Sequence, residues 1–534
     1  MSGRTFLIGL DGATFDVLDP MMQEGVMPAL REFMGGGVRA NLRTIVPALT
    51  PPAWTSLMTG RSPGHHGVFD FFTKESPESY YFHVSNAQDV RAETLWSIVN
   101  RQGLRSTVLN FPLTFPAPRI EGNVVPGWMP WRQLRLGCRP ANLFDRIKKL
   151  PGFEAKELSM DLSPEAKAVQ GCRIEELEEW VSFYIRRERQ WLRIVEMLER
   201  EDPSPLTAVL FDGVDKIQHL CWRFIDPAYR SPNPSEREER IRSLCLEYYR
   251  ELDAILSRIF AMSGPEDTTL IASDHGFGAQ TGTFFVNSWL ENNGHLAWAK
   301  SSGPEAGGSG DLGMEQLARH VYLLDWEKTR AYVPTPSGNG IYIVRSNGGP
   351  GVGVSDSEYE ELRARLVLEL REVRDESGSP VVSAVFTRDE IFSGPCRDLA
   401  PDVTLVLRDG GLVSILDSES VYRSRSEPIG AHRPEGVFLA RGPGFRKGVR
   451  IEELSILDVA PTMLHCLGLP IPEDFEGAVP GEAMAPGFRE RRRAAPGVVA
   501  EGSPIAAEPA SRPMLSRDDQ KRLAAHLRAL GYLE

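Results

Sequence analysis

The sequence predicts an α/β protein with a mostly parallel central sheet flanked by helices. Short apolar runs, typical of buried strands, alternate along the chain with longer stretches of helical periodicity. Several of these runs end in an aspartate, as at Asp11 and Asp274. In open α/β sheets, functional side chains gather at the carboxyl ends of parallel strands, so the repeated acids point to a site at that edge.

The predicted elements follow one another in a regular order. Strands are expected in the apolar runs at 5–10, 106–110, 206–211, 268–272, 340–344, 381–386, 403–407 and 437–440. Helices are expected where apolar residues recur at helical spacing, at 18–34, 93–100, 174–200, 237–262, 356–374 and 456–467. Alternation of this kind is typical of crossover units, which favours parallel pairing.

Two stretches interrupt the alternation. Residues 112–204 are rich in proline and tryptophan before an amphipathic helical run, and we interpret them as a cap insertion that covers the sheet without joining it. Residues 300–395 form a second insertion, which opens with a Gly- and Ser-rich segment at 300–312 expected to be a mobile surface loop. The remaining assignments are a core at 1–111, 205–299 and 396–483, a linker at 484–516 and a C-terminal helix at 517–534.

Composition narrows the class of protein. A chain of 534 residues can bury a large core, and its 60 basic and 73 acidic residues give a net charge of -13 without a long basic run, which argues against bulk nucleic acid as a partner. The six cysteines have no CxxC spacing, which argues against a disulfide framework or a thiolate metal cluster. No apolar run approaches the ~18 residues of a membrane span, and the run at 6–10 is too short for a signal peptide. We therefore expect a soluble, cytoplasmic protein, and a small anionic substrate stays open because metals can invert the charge of a pocket.

The segment 48–60 passes from a proline-stiffened loop into a short apolar helix that stops at Gly60. Pro51 and Pro52 are tolerated in the first turn of a helix, so Thr50 is expected at the helix N-terminus. Its hydroxyl would then lie at the positive end of the helix dipole, where phosphate-type anions bind. Taken alone, Thr50 is more simply interpreted as an ordinary helix N-cap.

Carboxylates and imidazoles recur after the apolar runs. Carboxylate oxygens and imidazole nitrogens are the ligands that metals such as Zn²⁺ accept. Asp215 and His219 are four residues apart, so one helical turn puts both on the same face. Each residue alone also fits a turn or a solvated helix pair, so the argument for a metal site depends on their joint occurrence with Thr50. The full set is Asp11, Asp215, His219, Asp274, His275 and His432, the last expected in a loop.

The order of these residues, with Thr50-Pro51 at a helix start, Asp215-x-x-x-His219, Asp274-His275-Gly276 and a late Gly-x-His432, resembles the alkaline phosphatase superfamily. Within it, the pattern is most similar to type I phosphodiesterases/nucleotide pyrophosphatases. The resemblance implies an alkaline-phosphatase-like core that holds two divalent metal ions, expected to be zinc. It implies that Asp11, Thr50, Asp274 and His275 hold one ion and that Asp215, His219 and His432 hold the other.

The resemblance also assigns two residues outside these ligands. Asn86 falls where the family's phosphate-contacting asparagine precedes a Gly-Glu-Pro-x-Trp-like segment, although Ala92 and Thr94 replace the Gly and Pro. His66, in a His-Gly pair after the Thr50 helix, resembles a family position with a structural role.

The implied activity is hydrolysis of phosphodiester or pyrophosphate bonds in a small substrate of nucleotide or nucleotide-sugar type. Thr50, activated by a metal, would attack phosphorus and form a phospho-threonine intermediate. A phosphomonoesterase or a phosphonate hydrolase of the same superfamily stays open. A sulfatase is disfavoured because Thr50-Pro51-Pro52-Ala53-Trp54 lacks the Cys/Ser-x-Pro-x-Arg pattern. A metal-binding scaffold without activity would be expected to have lost ligands, and every metal-ligand position of the pattern is filled.

Overall fold

The computed structural model of the chain describes residues 3–79, 82–158, 173–299, 324–335, 337–346, 353–491 and 496–497. The predicted loop at 300–312, the predicted helix at 517–534 and most of the predicted linker lie outside the described residues. The first residues of that linker range form a short helix, Pro486–Arg491.

An eight-stranded sheet forms the centre of the molecule. Its strands, in spatial order, are Val449–Ser455, Val38–Arg43, Glu435–Arg441, Thr268–Ala272, Thr5–Leu10, Leu206–Phe211, Ser106–Leu109 and Gly122–Val125. Every neighbouring pair is parallel except the two pairs that involve Glu435–Arg441. The predicted fold class, a mostly parallel sheet flanked by helices, is therefore confirmed.

Helices cover both faces of this sheet, because the central strands are apolar on both sides. In the Thr5–Leu10 strand, Phe6 and Ile8 belong to the core on one face and Leu7 to the core on the other. The first face carries Phe15–Gln23, Pro28–Gly35, Leu134–Gly137, Leu143–Ile147, Ile174–Glu201, Gly213–Ile225 and Glu236–Met262. The second face carries Thr50–Thr59, Leu95–Arg101 and Val459–Leu467.

A second, antiparallel sheet has its own core. Its four strands, in spatial order, are Ala331–Tyr332, Gly340–Ile343, Val403–Leu407 and Val382–Thr387. The helices Asp356–Arg371 and Val286–Asn292 contribute buried side chains to the same cluster. Two long antiparallel strands, Gly276–Phe284 and Tyr422–Arg433, lead from the central sheet toward this second sheet.

The remaining elements are short. Two further strand pairs are Phe72–Lys74 with Phe82–Val84 and Ile471–Pro472 with Pro496–Gly497. Single-turn helices occupy Pro63–His66, Trp131–Gln133, Ala155–Leu158, Pro227–Tyr229, Arg388–Ile391, Arg397–Leu399 and Ile456–Asp458. Among the described residues, no helix has both the length and the apolar character needed to cross a membrane.

The structure corrects three expectations about these elements. The predicted helix at 18–34 is two helices, because Gly25 adopts a φ of 75° and Pro28 restarts the chain as a new first turn. Gly122–Val125, inside the predicted cap, pairs with Ser106–Leu109 as an edge strand of the central sheet. Its four residues were too few to separate from the surrounding loop by pattern.

The third correction concerns the border at 395. Val403–Leu407, which we assigned to the core range 396–483, pairs in the second sheet with strands from the 300–395 insertion. Both partners of a strand pair are needed to decide which sheet it joins, and the sequence shows only one partner at a time.

Candidate active site

Three adjacent central strands bring acidic residues to one edge of the sheet. The Thr5–Leu10 strand lies between Leu206–Phe211 and Thr268–Ala272 and is parallel to both. Asp11 directly follows the first of these strands, and Asp274 follows the last one after a single serine. Because parallel strands end at the same edge, residues distant in the sequence meet there.

Thr50 is the first residue of the Thr50–Thr59 helix, whose N-cap is Leu49. The side chain is buried, with 4% of its surface exposed, and its Oγ1 lies 3.1 Å from Nε2 of His275. The simpler interpretation of Thr50 as an ordinary N-cap therefore does not hold, since the hydroxyl points to a predicted metal ligand.

Asp11, Asp274 and His275 form the first cluster, with one ligand atom of each within 4.8 Å of the others. Nε2 of His275 lies 3.2 Å from Asp274 Oδ2 and 3.8 Å from Asp11 Oδ1. The backbone N–H of Gly12 donates to Asp274 Oδ1 at 3.0 Å, and the indole N–H of Trp54 donates to Asp11 Oδ2 at 3.4 Å. These bonds hold one oxygen of each carboxylate and leave the other directed into the cluster.

Asp215, His219 and His432 form the second cluster by the same distance criterion. The first two lie one turn apart on the Gly213–Ile225 helix, as predicted from their spacing. His432 lies on the Tyr422–Arg433 strand and not in the predicted loop, because that segment pairs with the strand that follows His275. Asp215 Oδ1 is 3.3 Å from Nε2 of each histidine.

The three histidines share one orientation. Each Nδ1 lies within hydrogen-bond distance of a backbone carbonyl: His275 at 3.1 Å from Gly276 O, His219 at 3.1 Å from Gly430 O and His432 at 3.0 Å from Ala48 O. A proton on each Nδ1 satisfies these carbonyls and leaves each Nε2 as a lone-pair donor, the form in which imidazole ligates metals. The rings of His275 and His432 stack at 3.7 Å between centroids, which puts the two clusters side by side.

The acids of the two clusters have different electrostatics. Burial raises the pKa of Asp11 well above its usual value, and the nearby Asp274 raises it further. Burial likewise raises the pKa of Asp274. Burial opposes ionisation of Asp215 too, but His219 in its protonated, metal-free form and Lys216 outweigh it and hold the pKa of Asp215 well below its usual value. The metal-free first cluster therefore disfavours the ionised form of its carboxylates, and a bound cation would be needed to stabilise their negative charge.

The donor atoms fit divalent metal ions. Burial lowers the pKa of both His275 and His432, so both imidazoles are neutral at physiological pH. In the second cluster, Nε2 of His219 and Nε2 of His432 lie 3.1 Å apart, two lone pairs facing each other once Nδ1 carries the proton. Buried carboxylate oxygens in the described chain also lack a hydrogen-bond donor: Asp11 Oδ1, Asp215 Oδ1 and Asp274 Oδ2. A cation in each cluster would remove this repulsion and supply the missing partner.

Asn86 does not share this arrangement. Its side-chain Nδ2 donates to Asp89 Oδ2 at 2.9 Å, and its Oδ1 accepts from the backbone N–H of Gln88 at 2.9 Å. Both ends of the amide therefore stabilise a local turn. Contact between Asn86 and a phosphate stays a prediction, and within this turn only the second N–H of Nδ2 is available for it.

Two residues at the site were not singled out from the sequence. Lys216 is buried, and its Nζ lies 3.1 Å from Asp215 Oδ2. Trp54, one turn after Thr50, supports Asp11. Their positions next to predicted site residues were the available signal, but a lysine or tryptophan near an aspartate is common and carries little information.

His66 has the contacts of a structural residue. Its Nε2 lies 2.9 Å from the hydroxyl of Ser56, and its Nδ1 accepts from the backbone N–H of Val68 at 3.2 Å. Burial lowers its pKa to about 3. A neutral, buried imidazole of this kind fixes the turn after the Thr50–Thr59 helix against that helix.

Comparisons with known proteins identify the family and the fold of the chain. The model of the family named type I phosphodiesterase / nucleotide pyrophosphatase matches residues 5–434. Phosphonoacetate hydrolase from Sinorhizobium meliloti 1021, in complex with phosphonoformate, is similar at 15% identity and a TM-score of 0.52 over 87% of this chain and 96% of that chain. Murine ectonucleotide pyrophosphatase / phosphodiesterase 5 is similar at 15% identity and a TM-score of 0.49 over 90% of this chain and 100% of that one.

The structural likeness to the bacterial hydrolase supports the fold, and the family match covers well over half of the sequence. The chain therefore belongs to the type I phosphodiesterase / nucleotide pyrophosphatase family of the alkaline phosphatase superfamily.

Proposed function

We propose that this protein is a metal-dependent hydrolase that cleaves phosphodiester or pyrophosphate bonds with Thr50 as its nucleophile. The observation that carries the proposal is the position of the Thr50 hydroxyl, buried at a helix start and 3.1 Å from Nε2 of His275 in the first cluster. Packing alone does not require this hydroxyl to face a buried cluster whose carboxylate oxygens lack hydrogen-bond donors.

The first cluster, with Thr50, would hold one metal ion, and the second cluster would hold another, zinc being the expected metal in both. Bound ions of this kind lower the pKa of an adjacent hydroxyl and stabilise negative charge on phosphoryl oxygens. The protein itself fixes the positions of the donor atoms. The carbonyl contacts at each Nδ1 hold the imidazoles in place. Burial keeps water from competing for the donor atoms.

The helix that begins at Thr50 contributes less than a typical anion-binding N-terminus. Pro51 and Pro52 have no N–H, and the N–H of Ala53 donates to Leu49 O at 3.0 Å. The first turn therefore offers at most the N–H of Thr50 itself to a phosphate. Metal ions held by the two clusters would supply most of the stabilisation of the phosphoryl oxygens, with the helix dipole as a smaller contribution.

The reaction proceeds in two displacements. Oγ1 of Thr50 gives up its proton to water and forms a bond to phosphorus while the bond from phosphorus to the leaving oxygen breaks. The leaving oxygen keeps the electron pair, takes up a proton from water and departs. A water molecule then forms a bond to phosphorus, the bond to Oγ1 breaks, and Thr50 regains a proton. The phospho-threonine between the two steps is the covalent species that this proposal requires.

A nucleotide or nucleotide-sugar substrate needs a surface for a base or sugar. Phe111, at the start of the Trp- and Pro-rich segment, is fully buried against Trp54 and Trp96 and is a packing residue. Trp128 stacks on Phe71 with centroids 5.2 Å apart, and Trp131 is 37% exposed. These two tryptophans are the candidates for stacking on a substrate.

Metal content and activity, measured together, test the proposal. We expect about two divalent ions per chain and turnover of bis-p-nitrophenyl phosphate above p-nitrophenyl phosphate, with a loss of at least about 1000-fold in kcat for Thr50→Ala. Thr59→Ala is the matched control, because the hydroxyl of Thr59 lies on the same helix and bonds to Thr55 O. Diester turnover by Thr50→Ala at the wild-type rate would rule out Thr50 as the nucleophile.

A second candidate, phosphonate hydrolysis, is favoured by the likeness of the fold to phosphonoacetate hydrolase. It predicts turnover of phosphonoacetate above that of either nitrophenyl ester by the same Thr50 site. A preference for p-nitrophenyl phosphate would instead indicate a monoesterase. Absence of both bound metal and turnover would favour a binding scaffold.

A further inference from the structure

A cavity of about 530 Å³ lies beside the Gly213–Ile225 helix, and three arginines contribute to its wall. Arg223 comes from the end of that helix, Arg230 from the loop that follows it, and Arg242 from the Glu236–Met262 helix. We call this cavity the arginine pocket.

The three guanidinium groups are not equally neutralised. Arg223 forms a close ion pair with Glu427 and lies 3.9 Å from Glu238. Arg230 and Arg242 form no ion pair within 4.0 Å in the described part of the chain, although Glu239 also lines the pocket. Two cations thus share one cavity without a carboxylate in contact.

The donor groups of these two arginines also lack partners. Nε of Arg230 and Nε of Arg242 are buried and make no hydrogen bond to any described residue. Nη2 of Arg230 donates to Ile225 O at 3.1 Å, which fixes the guanidinium group in the wall of the arginine pocket. Burial and then the proximity of Arg242 lower the pKa of Arg230, while Glu24, Asp226 and Glu239, none of them paired with it, act in the opposite direction. An anion between them would relieve both the repulsion and the missing hydrogen bonds.

The arginine pocket lies next to the second cluster. Arg223 is four residues after His219 on the same helix, a rise of about 6 Å. On the opposite wall, Pro428 lines the pocket two residues before Gly430, whose carbonyl holds His219 Nδ1. The pocket and the cluster are thus separated by about one helical turn, a distance that a small molecule of about 1 nm exceeds.

We propose that the arginine pocket binds a second, distal phosphate-type dianion of the substrate. The inference rests on the proposed function for the position of the first phosphoryl group at Thr50. Guanidinium groups bind phosphate bidentately, and the buried Nε donors of Arg230 and Arg242 have no hydrogen-bond acceptor among the described residues. The substrate class is thereby narrowed to phosphodiesters or pyrophosphates with another phosphate about 10 Å from the scissile bond.

Calorimetry with a matched pair of flexible probes tests the pocket. The probes are 1,6-hexanediol bisphosphate and 6-hydroxyhexyl phosphate, titrated into the full-length Thr50→Ala chain so that neither is turned over. We expect the bisphosphate to bind about 10- to 100-fold more tightly than the monophosphate. Arg230→Gln and Arg242→Gln, singly and together, should lower this ratio toward one. Arg250→Gln, an exposed arginine on the same helix as Arg242, is the control and should keep the ratio.

The outcomes separate this proposal from the proposed function. Equal binding of the two probes, or a ratio that the arginine variants do not change, overturns the proposal. An arginine-dependent site for inorganic phosphate without any advantage of the bisphosphate assigns the pocket to a free anion and also overturns it. An arginine-dependent bisphosphate advantage in a protein that turns over no phosphorus ester supports the pocket while the proposed reaction fails.

Discussion

Lys216 is a buried cation whose partner, Asp215, is also a member of the second cluster. Its Nζ lies 3.1 Å from Asp215 Oδ2, while Oδ1 of the same carboxylate faces two imidazoles. The lysine therefore fixes one oxygen of Asp215 and sets the direction of the other. Lys216 is therefore a positioning residue, and its effect on the free energy of unfolding should depend on whether metal is bound.

Lys216→Met should lower the free energy of unfolding of the metal-free protein by about 3 kcal/mol, because a buried carboxylate loses its counterion. In the metal-loaded protein the loss should be clearly smaller, since a cation at the second cluster takes over as the partner of Asp215. Denaturant titrations with and without metal measure both values. Equal losses in the free energy of unfolding with and without metal would contradict the role of Lys216 as the counterion of Asp215. Lys216→Arg should restore most of the stability.

His66 gives a pH dependence whose sign follows from its burial. Its pKa falls from 6.5 to about 3 in the folded protein, so the unfolded chain binds one more proton between these values. The contribution of the neutral His66 to the free energy of unfolding is therefore fully present above pH 6.5 and is lost as the pH falls toward 3. The stability advantage of wild type over His66→Gln should shrink by about 1.4 kcal/mol for each pH unit below ~6. Parallel pH profiles for the two proteins would show that His66 is not the group responsible.

At the scale of elements, the Ile174–Glu201 helix fixes the start of the Gly213–Ile225 helix. Arg187 makes two bonds of 2.8 Å to Asp212, the residue before that helix, and one of 3.3 Å to Asn110. Asn110 itself holds an unusual φ of 64° at the end of a central strand. A segment that we expected only to cover the sheet therefore orients the helix that carries two predicted ligands.

Arg187→Met should lower the free energy of unfolding by about 3–5 kcal/mol, because Asp212 is left buried without its counterion. Replacing both partners, as Arg187→Met with Asp212→Leu, should recover part of this loss. The control is Arg189→Met on the same helix, whose pair with Glu251 is half-exposed and should be worth at most about 1 kcal/mol. Similar losses in the free energy of unfolding for Arg187→Met and Arg189→Met would contradict the role of Arg187 as the counterion of Asp212.

At the scale of the whole molecule, the two clusters depend on different long-range contacts. The first cluster depends on parallel pairing of neighbouring central strands, whereas the second needs the Tyr422–Arg433 strand to bring His432 to the Gly213–Ile225 helix. His432→Ala should therefore reduce bound metal from about two ions to about one per chain, measured by elemental analysis after dialysis. Retention of both ions would show that the clusters do not divide as we propose.

Much of the fold could be predicted because its signals are local. A fully apolar run such as Thr5–Leu10 is buried on both faces wherever it lies, and the acid after it marks the end of the strand. The spacing of Asp215 and His219 is likewise a property of one helix. The strand at Gly122–Val125, by contrast, is defined only by its neighbour in the sheet. The predicted cytoplasmic location stays a prediction.

The sequence by itself determined the fold class and which residue types could meet at the carboxyl edge of the sheet, since hydrophobic periodicity and helical spacing are set within a few residues. Only the tertiary structure decided that His432 lies on a strand, that Lys216 shares Asp215 with the second cluster, and that two arginines share a cavity beside it. The physical reason is that pairing, burial and charge balance depend on which distant segments pack together, and no single stretch of the chain contains that information.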